Sequence, residues 1–388
     1  MRKCSSKKKS YLALKHRKII AKQTRNAHRH KHETRRFKLL EKASRKANPD
    51  FYETRDLRKK MIKITYKKKS YDSPIVKIDI EKDLGIENPD DIDYFLDKAS
   101  TFIDFNSKHL YLDFSKCNRV WPSGITLLCS LKQWAELTSQ AKRKPIIMSS
   151  SSNNVRVNSY LGHCGFYDYV GRKKDTDENY YSNKEVVKIQ REKRRSNGEE
   201  RENEITDLLR QYSVLTENEI MMFDSIILTE VFSNVTEHGI SKVDAGWWIL
   251  AQYHQTHKFI SISIADNGIG IRNSLMTGPQ RNEIKRRLNN DPKNDGQFIC
   301  HALTENVSGA LAASQKKGLL VRRYESGSRR GHGLKRISSC CSKLKIPFAI
   351  ISHYGYTFLD ADGQIVTTGA KLSKVFAGTM YHFSIKTK

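Results

Sequence analysis

Glu230, Asn234 and His238 recur at four-residue steps, a spacing that lines them up along one face of a helix. A carboxylate, an amide and an imidazole in one row are costly on a packed helix unless they face something polar. Glu230 is placed to orient or deprotonate a water or a substrate hydroxyl, as a general base must be. Asn234 can offer its amide oxygen to Mg²⁺, a hard ion that keeps several waters and bridges substrate phosphates. For this helix taken alone, a stripe that merely solvates the surface explains the pattern as well.

Three further stretches change that balance. Ala265-Asp266-Asn267-Gly268-Ile269-Gly270 closes a strictly alternating apolar run. A carboxylate at the end of a buried strand can accept a hydrogen bond from a purine exocyclic amine, and Gly268 and Gly270 let the backbone come close to a base and sugar. Arg330-Gly331-His332-Gly333-Leu334-Lys335 turns into a helix with Ile337 and Leu344 on its apolar side. Such a turn presents backbone N–H groups and a positive dipole end to phosphates, and Arg329, Arg330 and Lys335 add charge. Gly378-Thr379-Met380 opens the last strand. Each stretch alone could be an ordinary turn. In this order, they make an ATP site the best single explanation of the C-terminal half.

The elements that must position these residues follow from periodicity. Ile220, Phe223, Ile226, Ile227, Val231 and Val235 predict a helix from Glu217 to His238. Residues 247–253 and 259–265 read as strands, 335–344 as a helix, and 348–352 and 381–385 as later strands. A long, basic stretch at 271–330 contains helix-like pieces at 281–287 and 298–303, with Gly and Ser content that suits mobility. Upstream, residues 71–170 alternate strands (75–80, 109–114, 145–148) with helices (90–103, 122–139, 155–161), which indicates crossover units. The charged segment 171–204, with its Asn197-Gly198 turn, reads as a linker or solvated helix.

The order of boxes over residues 205–388 resembles the GHKL, or Bergerat-fold, ATPases, and Glu-x-x-x-Asn-x-x-x-His is similar to the acidic helix of anti-sigma-factor serine kinases. The resemblance implies ATP and Mg²⁺ as cofactors and Glu230 as the catalytic residue. It implies nucleotide contacts from Asn234, His238, Asp266 (to adenine), Gly268, Gly270, Gly331, His332, Gly333, Leu334, Lys335 and Thr379, and a lid at 271–330. Leu112-Asp113-Phe114-Ser115, then Val120-Trp121-Pro122-Ser123-Gly124 and an apolar helix, resembles the STAS domain of anti-sigma-factor antagonists. There the matching Ser, here Ser123, is the phosphorylated residue. This chain has Trp121-Pro122 where that family commonly has Asp-Ser, and a Ser at a helix start is also an ordinary N-cap. The expected fold is therefore α/β (α+β): a STAS-like domain followed by a Bergerat-fold sandwich, with a basic helical or disordered arm at 1–70.

The net charge of +28 is concentrated in that arm, where 26 Lys/Arg face 5 Asp/Glu. Dense cationic charge releases phosphate counterions, so residues 1–70 are expected to bind nucleic acid; the competing reading is a tail that aids solubility. Seven cysteines, with no C-x-x-C pair, indicate neither a zinc ribbon nor a disulfide framework. From the thiols, read as reduced, the lack of an apolar leader and the lack of a run of membrane-spanning length, a cytoplasmic chain that does not engage membranes is expected. A protein partner at the STAS-like domain and a homodimer are the further associations considered. Three functions compete: an ATP-gated regulatory switch with slow hydrolysis, a protein serine kinase acting on a STAS-type Ser, and a nucleic-acid-binding regulator with a degenerate ATP site.

Overall fold

The computed structural model describes residues 61–66, 69–87, 94, 109–138, 147–149, 152–170, 185–192, 198–237, 246–277, 281–288, 295–304, 333–370 and 376–388. They fall into two compact units divided between Val76 and Lys77. β1 (Met61–Tyr66) pairs antiparallel with the part of β2 (Lys69–Asp79) that lies in the first unit, Met61 opposite Pro74 and Tyr66 opposite Lys69. Residues 61–70 were expected within a helical or disordered arm. The alternation of Ile62, Ile64 and Tyr66 with Lys63 and Thr65 is a strand period, and the surrounding charge masks it.

The second unit is mixed α/β. After β2 come β3 (His109–Asp113), α1 (Pro122–Thr138), β4 (Ile147–Ser149), α2 (Val155–His163) and α3 (Phe166–Tyr169). β3 and β4 run parallel, as the strand–helix–strand pattern requires. Then follow β5 (Val186–Glu192), α4 (Glu199–Tyr212), α5 (Glu217–Met222), a π-helical turn (Phe223–Leu228), α6 (Thr229–Glu237), β6 (Trp247–His254) and β7 (Phe259–Asp266). The rest are α7 (Gly270–Thr277), α8 (Arg281–Leu288), α9 (Asp295–Thr304), α10 (Gly333–Leu344), β8 (Phe348–His353), β9 (Gly355–Leu359), β10 (Ile365–Ala370) and β11 (Phe376–Lys386).

Seven of these strands form one antiparallel sheet in the order β10-β9-β8-β11-β7-β6-β5. One face carries Trp247, Ile249, Ala251, Ile260, Ile262, Ile264, Tyr381, Phe383 and Ile385. It packs on the helices between α4 and α10 in a single apolar core. The opposite face carries Trp248, Leu250, Gln252, Ser261, Ser263 and His382, and these are buried too. α1 covers them, lying against β6, β7 and β11. Trp121, at the start of α1, meets His254 edge-on at 5.0 Å and Phe259 at 5.8 Å. The Trp that departs from the STAS pattern thus anchors this helix to the sheet.

Two segments differ from their sequence reading. β5 lies within the charged stretch read as a linker and pairs with β6 as an edge strand. Val186, Val187 and Ile189 turn inward while the charges point out, and a charged edge is what protects a sheet from further pairing. Within the expected lid, residues 270–277, 281–288 and 295–304 are helical; residues 305–330 lie outside the described set. Phe298, Ile299, Ala302 and Leu303 recur on one side of α9 and are buried in the core. A buried ion pair, Arg272 Nη1 to Asp295 Oδ1 at 3.1 Å, fixes α9 to α7, and Asp295 also accepts from the Tyr354 N–H.

The helix predicted at 217–238 exists with a π turn in its middle. A capping box at Thr216 and Glu219 starts it. Phe223, Ile227, Val231 and Val235 then point into the core at four-residue steps. Such steps drift around an α-helix, and the wider π turn takes up the drift. Ile227 is consequently in the core, whereas Ile226 is only partly buried. Among the described residues, no helix is long and apolar enough to cross a membrane.

Candidate functional site

The start of α10 abuts α6. A Cβ built on Gly333 would lie 2.8 Å from Glu230 Oε2 and 3.8 Å from Asn234 Oδ1, so a side chain there would fill the space in front of both. Glu230 is also the acceptor of a close ion pair from Arg336, one turn into α10. The Tyr381 phenol lies beside the Asn234 side chain. Asn234 Nδ2 is nevertheless buried without a hydrogen-bond partner among the described residues. A buried N–H donor without an acceptor is costly, so an acceptor that reached Nδ2 would be stabilised there; the gap at Gly333 is faced by the amide oxygen instead.

Asp266 ends β7, buried at 5% exposure. Its Oδ1 accepts from the Gly268 N–H at 2.6 Å, and the Thr379 N–H is a second donor. Burial pushes its carboxyl up to about 7, with those two N–H groups pulling the other way. Gly378, at φ 107°, passes so close to the Asp266 carbonyl that any Cβ would collide with it. Gly270, at φ 69°, is pressed likewise against His353. Ser352 ties the group together: its Oγ donates to Gly378 O at 3.0 Å and accepts from the Ile271 N–H at 3.0 Å. Tyr381 lies between the two halves, feeling the Asp266 charge on one side and the Asn234 amide on the other. Burial first, and Asp266 second, raise its phenol above the usual range.

The sequence-predicted residues therefore converge as two clusters joined by Tyr381. Glu230, Asn234 and Gly333 form one; Asp266, Gly268, Gly270 and Thr379 form the other. Leu334 packs against the apolar core. Lys335 lines a groove between α10 and the π turn, together with Met222, Ile226, Arg336, Ser339 and Lys343. His238, Gly331 and His332 lie outside the described residues. Sequence reasoning missed Tyr381, Ser352 and Arg336. Tyr381 could have been found, because it shares its strand face with Thr379.

Ser123 stands apart from this site. It is fully buried at the start of α1, where its N–H and hydroxyl both bind the carboxylate of Glu87. A modified Ser123 would have no space for a phosphate, so the expected phosphosite is closed in this fold. Among the described residues no group of three or more His, Cys, Asp or Glu could hold a metal. Cys340 and Cys341 are buried thiols, the first pushed up to about 11 and the second well above the usual range by desolvation, which keeps both protonated and unreactive.

No protein-family model matches this chain, and no curated protein is significantly similar to it.

Proposed function

We propose that this chain is an ATP- and Mg²⁺-binding regulatory ATPase of the GHKL, Bergerat-fold type, similar to anti-sigma-factor serine kinases and preceded by a STAS-like domain. It acts as a nucleotide-gated switch. The observation that carries the reading is the approach of Gly333 to the Glu230 carboxylate and the Asn234 amide oxygen. A glycine turn at a helix start, facing a carboxylate and an amide, suits a phosphate chain and its cation.

The chain's own residues have separate tasks. Asp266 would accept from an adenine amine, held in direction by the Gly268 and Thr379 N–H groups. Asn234 would ligate Mg²⁺, whose charge neutralises the phosphates. Glu230 would orient the attacking water and take its proton, with Arg336 fixing the carboxylate until then. Residues 1–70 would bind nucleic acid, the STAS-like domain a protein, and the chain would work in the cytoplasm, as a monomer or homodimer.

The serine-kinase reading is weaker, because its candidate acceptor Ser123 is fully buried. A degenerate site is disfavoured by the intact Glu230, Asn234 and Asp266 set. Incubation with γ-labelled ATP separates these readings. Free labelled phosphate supports the switch, label retained on Ser supports the kinase, and no nucleotide binding leaves only the degenerate site.

A further inference from the structure

The residue between Asp266 and Gly268 does not face the candidate nucleotide gap. Asn267, only 2% exposed, points to the other side of the sheet and is gripped by α1. Ser130 Oγ donates to Asn267 Oδ1 at 2.9 Å, and Asn267 Nδ2 donates to the Ser130 carbonyl at 3.0 Å. Ser130 is itself fully buried, so water cannot replace either bond.

A second latch sits at the start of the same helix. Glu87, its side chain fully buried, accepts from the Ser123 N–H at 3.0 Å and from the Ser261 hydroxyl at 2.9 Å through one oxygen. Its other oxygen accepts from Ser123 Oγ and from the Ile86 N–H at 3.0 Å. His382 Nδ1 lies 3.8 Å from that carboxylate and 2.9 Å from Ser263 Oγ. Burial lowers the His382 pKa, and the Glu87 charge pulls it back only in part. α1 is thus fastened to β7 near its beginning, at Ser261, and just past its end, at Asn267.

We propose that Asn267 is a positioning residue that couples the nucleotide loop to α1, so that nucleotide occupancy and the docking of α1 on the sheet strengthen one another. The inference rests on the nucleotide reading of Asp266 and Gly268. Those two residues share a 2.6 Å hydrogen bond across Asn267. A ligand that fixes Asp266 and Gly268 also fixes the backbone that aims Asn267. Coupling between two binding events is reciprocal, so a loosened α1 must weaken the nucleotide by the same factor. The covering helix is in this account the output element of the switch, and the pair Asn267–Ser130 is its transmission.

The test is hydrogen exchange of the α1 amides in the full chain, with and without ADP or Mg·ATP, beside nucleotide affinity by calorimetry. The expected result is that nucleotide slows exchange in residues 122–138 by about fivefold or more. Ser130→Ala should weaken nucleotide by about the same factor and abolish the nucleotide-dependent change in α1. Ser130→Cys, a weaker donor, should fall between. Thr126→Val is the control on the same helix, since the Thr126 hydroxyl is buried without a hydrogen-bond partner; it should leave both readouts unchanged. Nucleotide binding with no change in α1 exchange would overturn the coupling while leaving the ATP reading intact, and needs only the wild-type chain. Equal coupling in Ser130→Ala and wild type would overturn the role of Asn267. No nucleotide binding by the wild type would overturn both.

Discussion

Arg336 and Glu230 are paired across the junction of α10 and α6, Nη1 on Oε1, with the arginine half-exposed and the carboxylate mostly covered. Among the described residues it is the ion pair that joins α10 to α6, beside the approach of Gly333 to the same carboxylate. It holds the Glu230 carboxylate against Gly333, from one turn further along α10.

Substituting the base gives the first prediction. Glu230→Gln keeps the shape and an acceptor for Arg336 but cannot take a proton. Phosphate release should fall by about 10²–10⁴-fold, with nucleotide affinity changed by less than about threefold. Steady-state phosphate release beside calorimetric binding measures both.

Two glycines should separate folding from binding. Gly378→Ala forces a Cβ into the Asp266 carbonyl at a positive φ, so it should cost about 2–4 kcal/mol in denaturant unfolding. Gly333→Ala meets only the far end of the Glu230 side chain at 2.8 Å. Its stability should drop by less than about 1 kcal/mol, while nucleotide affinity falls.

Asp266 sets a pH dependence whose sign is unusual for a carboxylate. Its folded pKa, about 7, lies above the ordinary 3.8, so the folded state holds this proton more tightly than the unfolded chain does. The associated stability is fully present below pH 3.8 and is lost as pH rises towards 7. Asp266→Asn should flatten that part of the stability profile. Nucleotide affinity should behave oppositely in the wild type, rising as pH passes 7, because the ionised carboxylate is the better acceptor for an adenine amine. Melting and binding titrations from pH 4 to 8 would show either trend, or neither.

Glu87→Ala would leave the Ser123 N–H, the Ser123 hydroxyl and the Ser261 hydroxyl without their buried acceptor, while the Ile86 N–H keeps Ser123 Oγ. A loss of about 3–5 kcal/mol is expected, on the scale seen when one partner of a buried charged network is removed. Chemical denaturation of the full chain measures it. The same network implies that Ser123 acquires no phosphate in the folded chain; phosphosite mapping after incubation with ATP should find it unmodified.

Removal of residues 1–70 should abolish salt-sensitive nucleic-acid binding. With the arm present, the logarithm of the affinity should fall linearly with the logarithm of salt concentration. Equal affinity in the truncated chain, by fluorescence anisotropy, would assign the binding elsewhere.

What could be read from the residues was local. The strictly alternating β7, the helix face of Glu230 and Asn234, and the glycine turns all announce themselves within a dozen residues, because period and turn chemistry are short-range signals. The π turn left only a faint mark, the four-residue apolar steps from Phe223 to Val235, which an ordinary α-helix face also carries. The covering of the sheet by α1 was hidden for a different reason. Ser130 and Asn267 are 137 residues apart, and Glu87 and Ser261 are 174 apart. No periodicity spans such distances. One trace was present: Ser261, Ser263, His382 and Ser384 put a polar stripe on the outer face of neighbouring strands, and a buried polar stripe requires partners. β5 was masked by its own charges, which are the property that suits it to an edge.

The central claim is that Asp266, Asn234 and Gly333 belong to one nucleotide site. Calorimetric titration of the full chain with Mg·ATP tests it most directly, repeated on Asp266→Asn and Asn234→Ala. The account predicts one saturable site in the wild type, weakened about tenfold or more by each substitution, as expected when a buried polar contact to a ligand is removed. Absence of binding in the wild type, or equal affinity in all three chains, would contradict it.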